Sequence, residues 1–371
     1  MRVQVAVILW LCALLAGCGG SSQNPIVGGN PIAPPVITST AAQNGGVIVS
    51  ITPGVQYAQI HYTTDGSTPV SASQFYQGPF LVASNLTVKA IDILDLSTSD
   101  VASQAFSSNI PSGTLVWSDD FTNNTGANAQ PDPTVWIYDT GTNCCGNNEL
   151  ENYCAWNSSI APCDPANPNT YVGTDGYLHI LGRNPSANVY TSARLKSQGL
   201  FSFQYGRLEF RALVPEGQGL WPAVWLLGNN TSTINWPACG EQDVLERINA
   251  AGSPYDWNAG SIHGTGFTGG TGLGTKYNFP SGQTAAQWHT YGMIWSPGNV
   301  QYYIDAPSNI YASFTPTSLN GLGGAVWPFD EGQSNFLIIN LAIGGDWPGP
   351  PDGTTPFPAE MLVDYVRIYT N

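Results

Sequence analysis

The chain has 371 residues, of which 10 are Lys or Arg and 25 are Asp or Glu, giving a formal net charge of −15. That balance, with no basic patch or stripe, excludes a nucleic-acid partner and disfavours strongly sulfated polymers; neither a P-loop nor a dinucleotide fingerprint occurs. Twelve Trp and seventeen Tyr are many for this length, and flat apolar rings suit the C–H faces of neutral pyranose units.

Arg2 precedes an apolar run, Val5 to Leu15, that is too short for a comfortable membrane span and ends in Leu15-Ala16-Gly17-Cys18. It reads as an export signal. The last four residues resemble a bacterial lipobox, which would make Cys18 the lipidated first residue of the mature chain; a plain signal peptide cleaved nearby is the other reading. Residues 1–18 are therefore expected to be a lipoprotein-type signal segment and 19–33 a flexible linker. The protein is expected to be an exported bacterial one, membrane-anchored by lipid or else periplasmic or secreted, and a monomer.

Residues 34–110 read as a small β domain, entered through Pro31-Ile32-Ala33-Pro34-Pro35. Short alternating segments flank Tyr62-Thr63-Thr64-Asp65-Gly66-Ser67-Thr68-Pro69, then Phe75-Tyr76-Gln77-Gly78-Pro79-Phe80 and Leu86-Thr87-Val88-Lys89-Ala90. The segment resembles the immunoglobulin-like accessory domains found beside bacterial glycosidases, of the chitobiase/β-hexosaminidase C-terminal type. A sugar-binding platform there would draw on Tyr57, His61, Tyr62 or Phe75; a spacer role is the expectation. The boundary falls near Ser107–Thr114, and a second domain is expected over 113–371.

In that second domain Cys144, Cys145, Cys154 and Cys163 cluster within twenty residues, which in an exported chain predicts two disulfides whose pairing the spacing does not settle. Cys239 is left over and is expected to pack as a small apolar side chain. Leu208, Phe210 and Ala212 alternate with Arg207, Glu209 and Arg211, as in a half-buried strand. Near the end Leu362, Asp364, Val366 and Ile368 alternate with Val363, Tyr365 and Arg367. Such runs recur between Gly, Pro, Asn and Ser clusters with no long helical pattern, so an all-β sandwich of two antiparallel sheets is predicted.

The most informative segment is Glu241-Gln242-Asp243-Val244-Leu245-Glu246, three carboxylates in an otherwise apolar strand-like run. Acids rarely enter such a segment unless paired or used. Glu241 and Asp243 share a strand face, whereas Glu246 has the wrong parity unless Val244 or Leu245 is the extra residue of a bulge. Two Glu with an Asp between them suit glycoside hydrolysis, as nucleophile, acid/base and a carboxylate that tunes them. The competing reading is a solvated edge strand. Gln242 is expected behind the strand, where burial would require a hydrogen-bond partner.

Trp236-Pro237-Ala238-Cys239-Gly240-Glu241-Gln242-Asp243-Val244-Leu245-Glu246 resembles the active-site strand of glycoside hydrolase family 16, in its bacterial laminarinase-type form, with Gln242 and Leu245 departing from the usual Ile and Met. The likeness extends over 113–371, through Gly146–Leu150, Tyr190–Leu195, Tyr205–Arg211, Gly219–Leu226, Ile262–Gly264, Trp288–Tyr291 and Met361–Arg367. It implies a curved jelly-roll with an open cleft on its concave face. It further implies Glu241 as nucleophile, Glu246 as acid/base and Asp243 hydrogen-bonded to the nucleophile. By the same likeness Trp236 packs near the cleaved sugar, Arg194 reaches into the cleft, Asn148 contacts sugar with Glu149 buttressing its loop, and His263 lies at the leaving-group side. Trp221 and Trp225 share strand parity and, with Trp347, are further binding candidates; His289 reads as structural.

The expected activity is a retaining endo-β-1,3-glucanase acting on laminarin-like glucans, with β-1,3-1,4 chains as a second substrate. The alternatives are an agarase or other galactanase, a glucan transglycosylase, and a non-catalytic β-glucan-binding protein, against which the retained acid trio argues. No cofactor is required for catalysis. Family members often hold a structural calcium, to which Asp364 and Asp119 or Asp120 could contribute.

Overall fold

The computed structural model describes residues 31–122, 126–142, 146–249, 256–330 and 332–371. The expected signal segment, Cys18, and the disulfide candidates Cys144 and Cys145 lie outside the described residues. Among the described residues the regular structure is strand, apart from three 3-10 turns of four residues or fewer.

Residues 36–106 form a small two-sheet sandwich. One sheet contains Val36–Ala41, Val47–Thr52 and Phe80–Val82, and the other is built around Leu86–Leu94. Its core is Val49, Ile51, Ile60, Tyr62, Phe80, Val82, Val88 and Ala90. Tyr62, a platform candidate from sequence, is buried and stacks on Phe80 at 5.3 Å between centroids, so it is core. The Thr-Thr-Asp-Gly turn is closed by Asp65 Oδ1, which accepts from Ser67 N and Ser67 Oγ.

The larger body is a jelly-roll of two stacked antiparallel-dominated sheets. The seven-stranded sheet runs, in spatial order, Ile137–Asp139, Arg194–Lys196, Asn335–Ile343, Leu220–Gly228, Glu241–Glu246, Trp257–His263 and Leu273–Asn278. Behind it lies a ten-stranded sheet. The apolar faces meet in one core, and the all-buried strand Asn335–Ile343 shows why no alternation could be read there: it is covered on both faces. Gly206–Leu213 does alternate, burying Leu208, Phe210 and Ala212 while Arg207 pairs with Glu209 on the outer face.

The last strand, Ala359–Tyr369, corrects the sequence reading. Val363, not Leu362, is buried, yet Val366 and Ile368 are buried too. The register against Gly206–Leu213 slips there, Tyr365 facing Arg211 and Val363 facing Ala212, so Asp364 is an extra residue that flips the parity. Arg211 Nη1 holds Asp364 outside at 2.8 Å. Other cations are similarly committed: Arg194 and Lys196 to Asp139, Arg367 to Asp120.

Candidate active site

Glu241–Glu246 is a central strand of the seven-stranded sheet, and its register slips once. Asp243 faces Ser261 and Glu246 faces Ala259, so Gly260 stands opposite both Val244 and Leu245; on the other side Val224 faces Leu245 and Trp225 faces Asp243. The bulge turns both Val244 and Leu245 into the core, at 1% and 0% exposed, and returns Glu246 to the face of Glu241 and Asp243. Gly260 has no room for a side chain: a Cβ would lie 2.5 Å from Tyr311 Oη and 2.6 Å from Tyr302 Cδ2. Asn258 fastens the bulge by donating from Nδ2 to Val244 O at 3.1 Å and accepting at Oδ1 from Glu246 N at 3.2 Å. A bulge leaves backbone groups unpaired, and this amide satisfies two of them.

Each Glu is held by an indole. Trp236 Nε1 donates to Glu241 Oε2 at 2.8 Å, and Trp221 Nε1 donates to Glu246 Oε1 at 3.2 Å. His263 faces Glu241 in the ladder, with Nε2 3.1 Å from Asp243 Oδ2 and 3.7 Å from Glu241 Oε1. Burial pushes Asp243 up to about 8. Burial, then the neighbouring Asp243, pushes Glu246 up to about 8 against the pull of His263 and Trp221. Glu241 is also raised, by burial and Asp243, while His263 and the Trp236 N–H pull it back. Three acids this close and this dry do not all ionise, so the site keeps a proton at neutral pH. It can therefore offer one carboxylate for attack and one carboxyl as proton donor.

Aromatic rings flank the trio. Trp236 is 47% and Trp347 42% exposed, and Trp347 meets Trp221 edge-on at 5.5 Å. Residues 168–351 match the glycosyl hydrolases family 16, and 49–106 match the Fn3 associated family. A beta-glucanase of Rhodothermus marinus is 35% identical over 273 residues, covering 70% of this chain and 86% of that protein. A glucan endo-1,3-beta-glucosidase A1 of Niallia circulans is 34% identical, covering 69% of this chain but 37% of that longer protein. The crystal structure of the laminarinase catalytic domain from Thermotoga maritima superposes with a TM-score of 0.60 at 34% identity, covering 70% of this chain and 99% of that one. The chain belongs to glycosyl hydrolase family 16.

Family 16 hydrolysis needs no cofactor, and the acids named from sequence for calcium each have partners of their own. Asp364 is bound to Arg211; Asp120 accepts two N–H groups of Arg367, at 2.9 and 2.7 Å. Asp119 accepts from Phe121 N and Trp136 Nε1. Glu241, Asp243 and His263 are the one group among the described residues with metal-ligand proximity, and the contacts of His263 Nε2 with the two carboxyl groups account for it.

The other sequence candidates divide. Trp225 and Trp221 are both half-buried on the cleft face. Trp225 Nε1 is spent on Asn340 Oδ1 at 2.8 Å, and the Arg194 guanidinium lies over its ring at 4.7 Å. Arg194, expected to reach free donors into the cleft, is instead 8% exposed and paired through Nε with Asp139 at 3.0 Å: it clamps Trp225. Asn148 is exposed and donates to both oxygens of Asp346 at 3.0 Å, tying its loop to the one bearing Trp347. Glu149 does buttress that loop, accepting from Asn147 Nδ2 and Tyr153 Oη. His263 stands beside Glu241 and Asp243. Of the cysteine candidates, Cys154 and Cys163 form a disulfide, and Cys239 is free and buried. His289 is buried between Asp305 and Thr284 O. Sequence reasoning missed Asn258 and Asn340; the signal available was an amide inside a mostly apolar strand in each case.

Proposed function

We propose that this chain is a retaining endo-β-1,3-glucanase of laminarin-like glucans, with Glu241 as nucleophile, Glu246 as acid/base and Asp243 as the group that orients and charges Glu241. The observation that carries the reading is the bulge, which sets both Glu side chains on one face of the sheet, each held by a separate tryptophan N–H. Ionised Glu241 attacks the anomeric carbon as Glu246 gives its proton to the departing glycosidic oxygen. Water then enters from the vacated side, Glu246 takes its proton, and the sugar leaves Glu241 with retained stereochemistry. Trp236 and Trp347 supply exposed stacking surfaces for neutral sugar rings. Mixed β-1,3-1,4 chains fit the same chemistry. Export on a lipid anchor at Cys18 is part of the proposal; the Cys154–Cys163 disulfide supports an oxidising compartment.

The test is oligosaccharide release from laminarin, lichenan, carboxymethyl cellulose and agarose, alongside Glu241→Gln. Products from laminarin that vanish in the variant, by about 10²-fold or more, are expected. Products from agarose alone would move the substrate to a galactan. Binding without release from any polymer would overturn the catalytic reading.

A further inference from the structure

The small sandwich is not merely strung beside the catalytic body. Its edge from Gln77 to Leu81 lies against residues 199–202 and, at Gln77, against the turn that leads to Trp236. Leu81 N donates to Ser202 O at 2.9 Å, and Ser202 Oγ donates to Pro79 O at 3.1 Å. Ser202 Oγ lies 2.9 Å from Ser334 Oγ, and Asn229 Nδ2 reaches both, at 3.3 and 3.5 Å. Asn229 N also donates to Ser334 O at 2.8 Å. Ser202, Asn229 and Ser334 are 1%, 6% and 4% exposed, so these bonds are made away from water and cost most when broken. Asn229 opens the 3-10 turn Asn229–Ser232, and Gln77 Nε2 donates to Ser232 Oγ at its far end. Four residues on stands Trp236, bonded to Glu241.

We infer that the Gln77–Leu81 edge is a positioning element of the cleft: it fixes the segment 229–239 and, through it, the Trp236 indole against the Glu241 carboxylate. The inference rests on the reading of Glu241 and Trp236 as parts of a glucan site. It gives the accessory domain a task a flexible spacer could not perform, because the restraint passes through packed backbone and not through a tether. At Gly78 the two backbones leave no room for a side chain: a Cβ there would lie 2.6 Å from the Gly199 carbonyl.

Three variants of the full chain test it. Gln77→Ala removes the bond to Ser232, Gly78→Ala wedges the two backbones apart, and Gln43→Ala removes a bond to Ser118 elsewhere on the same interface. Gln77→Ala and Gly78→Ala should raise KM for β-1,3-gluco-oligosaccharides about three- to tenfold with a smaller change in kcat, and speed amide exchange over 229–239. Gln43→Ala should leave KM and that exchange as in the parent. If all three behave alike, or if Gln77→Ala alters neither quantity, the inference is wrong. A parent chain that cuts no glucan would instead defeat the functional reading, while the exchange comparison would still report on positioning.

Discussion

Glu246→Gln should make the protein more stable while disabling it. The amide keeps an oxygen for Trp221 Nε1 and nearly the same volume, but it removes a carboxyl that burial holds at about 8 instead of 4.5. A carboxyl whose folded pKa is raised contributes its full stability below the unfolded value and loses it as pH climbs through the folded one. The window is therefore pH 4.5 to 8. Near pH 7.5 the unfolded chain would gain about 4 kcal/mol from ionisation that the fold denies; solvent at the cleft mouth reduces this to about 2 kcal/mol. For a chain of this size that is a rise in Tm of about 3 °C. Calorimetric melts of parent and variant across this range read it directly. The variant should melt higher near pH 7.5, with the gap closing near pH 4. A variant that melts lower at neutral pH, or a gap that ignores pH, would refute the argument that Glu246 is kept dry and protonated at a cost to the fold.

Gln242→Ile should stabilise by about 1–3 kcal/mol with hydrolysis retained, measured by urea denaturation, because Gln242 is 0% exposed and both its amide atoms lack a partner. Asn258→Ala leaves the Val244 carbonyl and Glu246 N–H of the bulge unsatisfied; a loss of about 2 kcal/mol and at least tenfold in kcat is expected. Trp236→Phe removes the N–H that lowers the Glu241 pKa, so the acid limb of the kcat/KM–pH profile should move to higher pH.

The acid trio was legible because charge is rare in an apolar strand, and the bulge followed from parity alone. The strand Gly206–Leu213 was legible because one face meets water. Asp364 misled because a bulge held by Arg211 leaves no mark in an alternating pattern. Arg194 misled for another reason: sequence gives a side chain's reach but not the ring it will lie on, and Trp225 took it. Asn258 was missed because the groups it satisfies exist only once the bulge has formed. The burial of Tyr62 and the docking of the Gln77–Leu81 edge depend on contacts between segments far apart in sequence.

The pairing of the cations has a consequence at the outer surface. Of ten cationic side chains, Arg194 and Lys196 share Asp139, Arg207, Arg211 and Arg367 each meet an adjacent acid, Arg247 is fully buried, and Lys276 lies over Trp257. What the protein presents to its surroundings carries a strong net negative charge. Acidic polymers are held off at the range of the Debye length, while an uncharged glucan chain feels no such field. The enzyme thus sorts its polymers by charge before any ring reaches a tryptophan, and added salt should relax that exclusion without weakening its grip on a neutral strand.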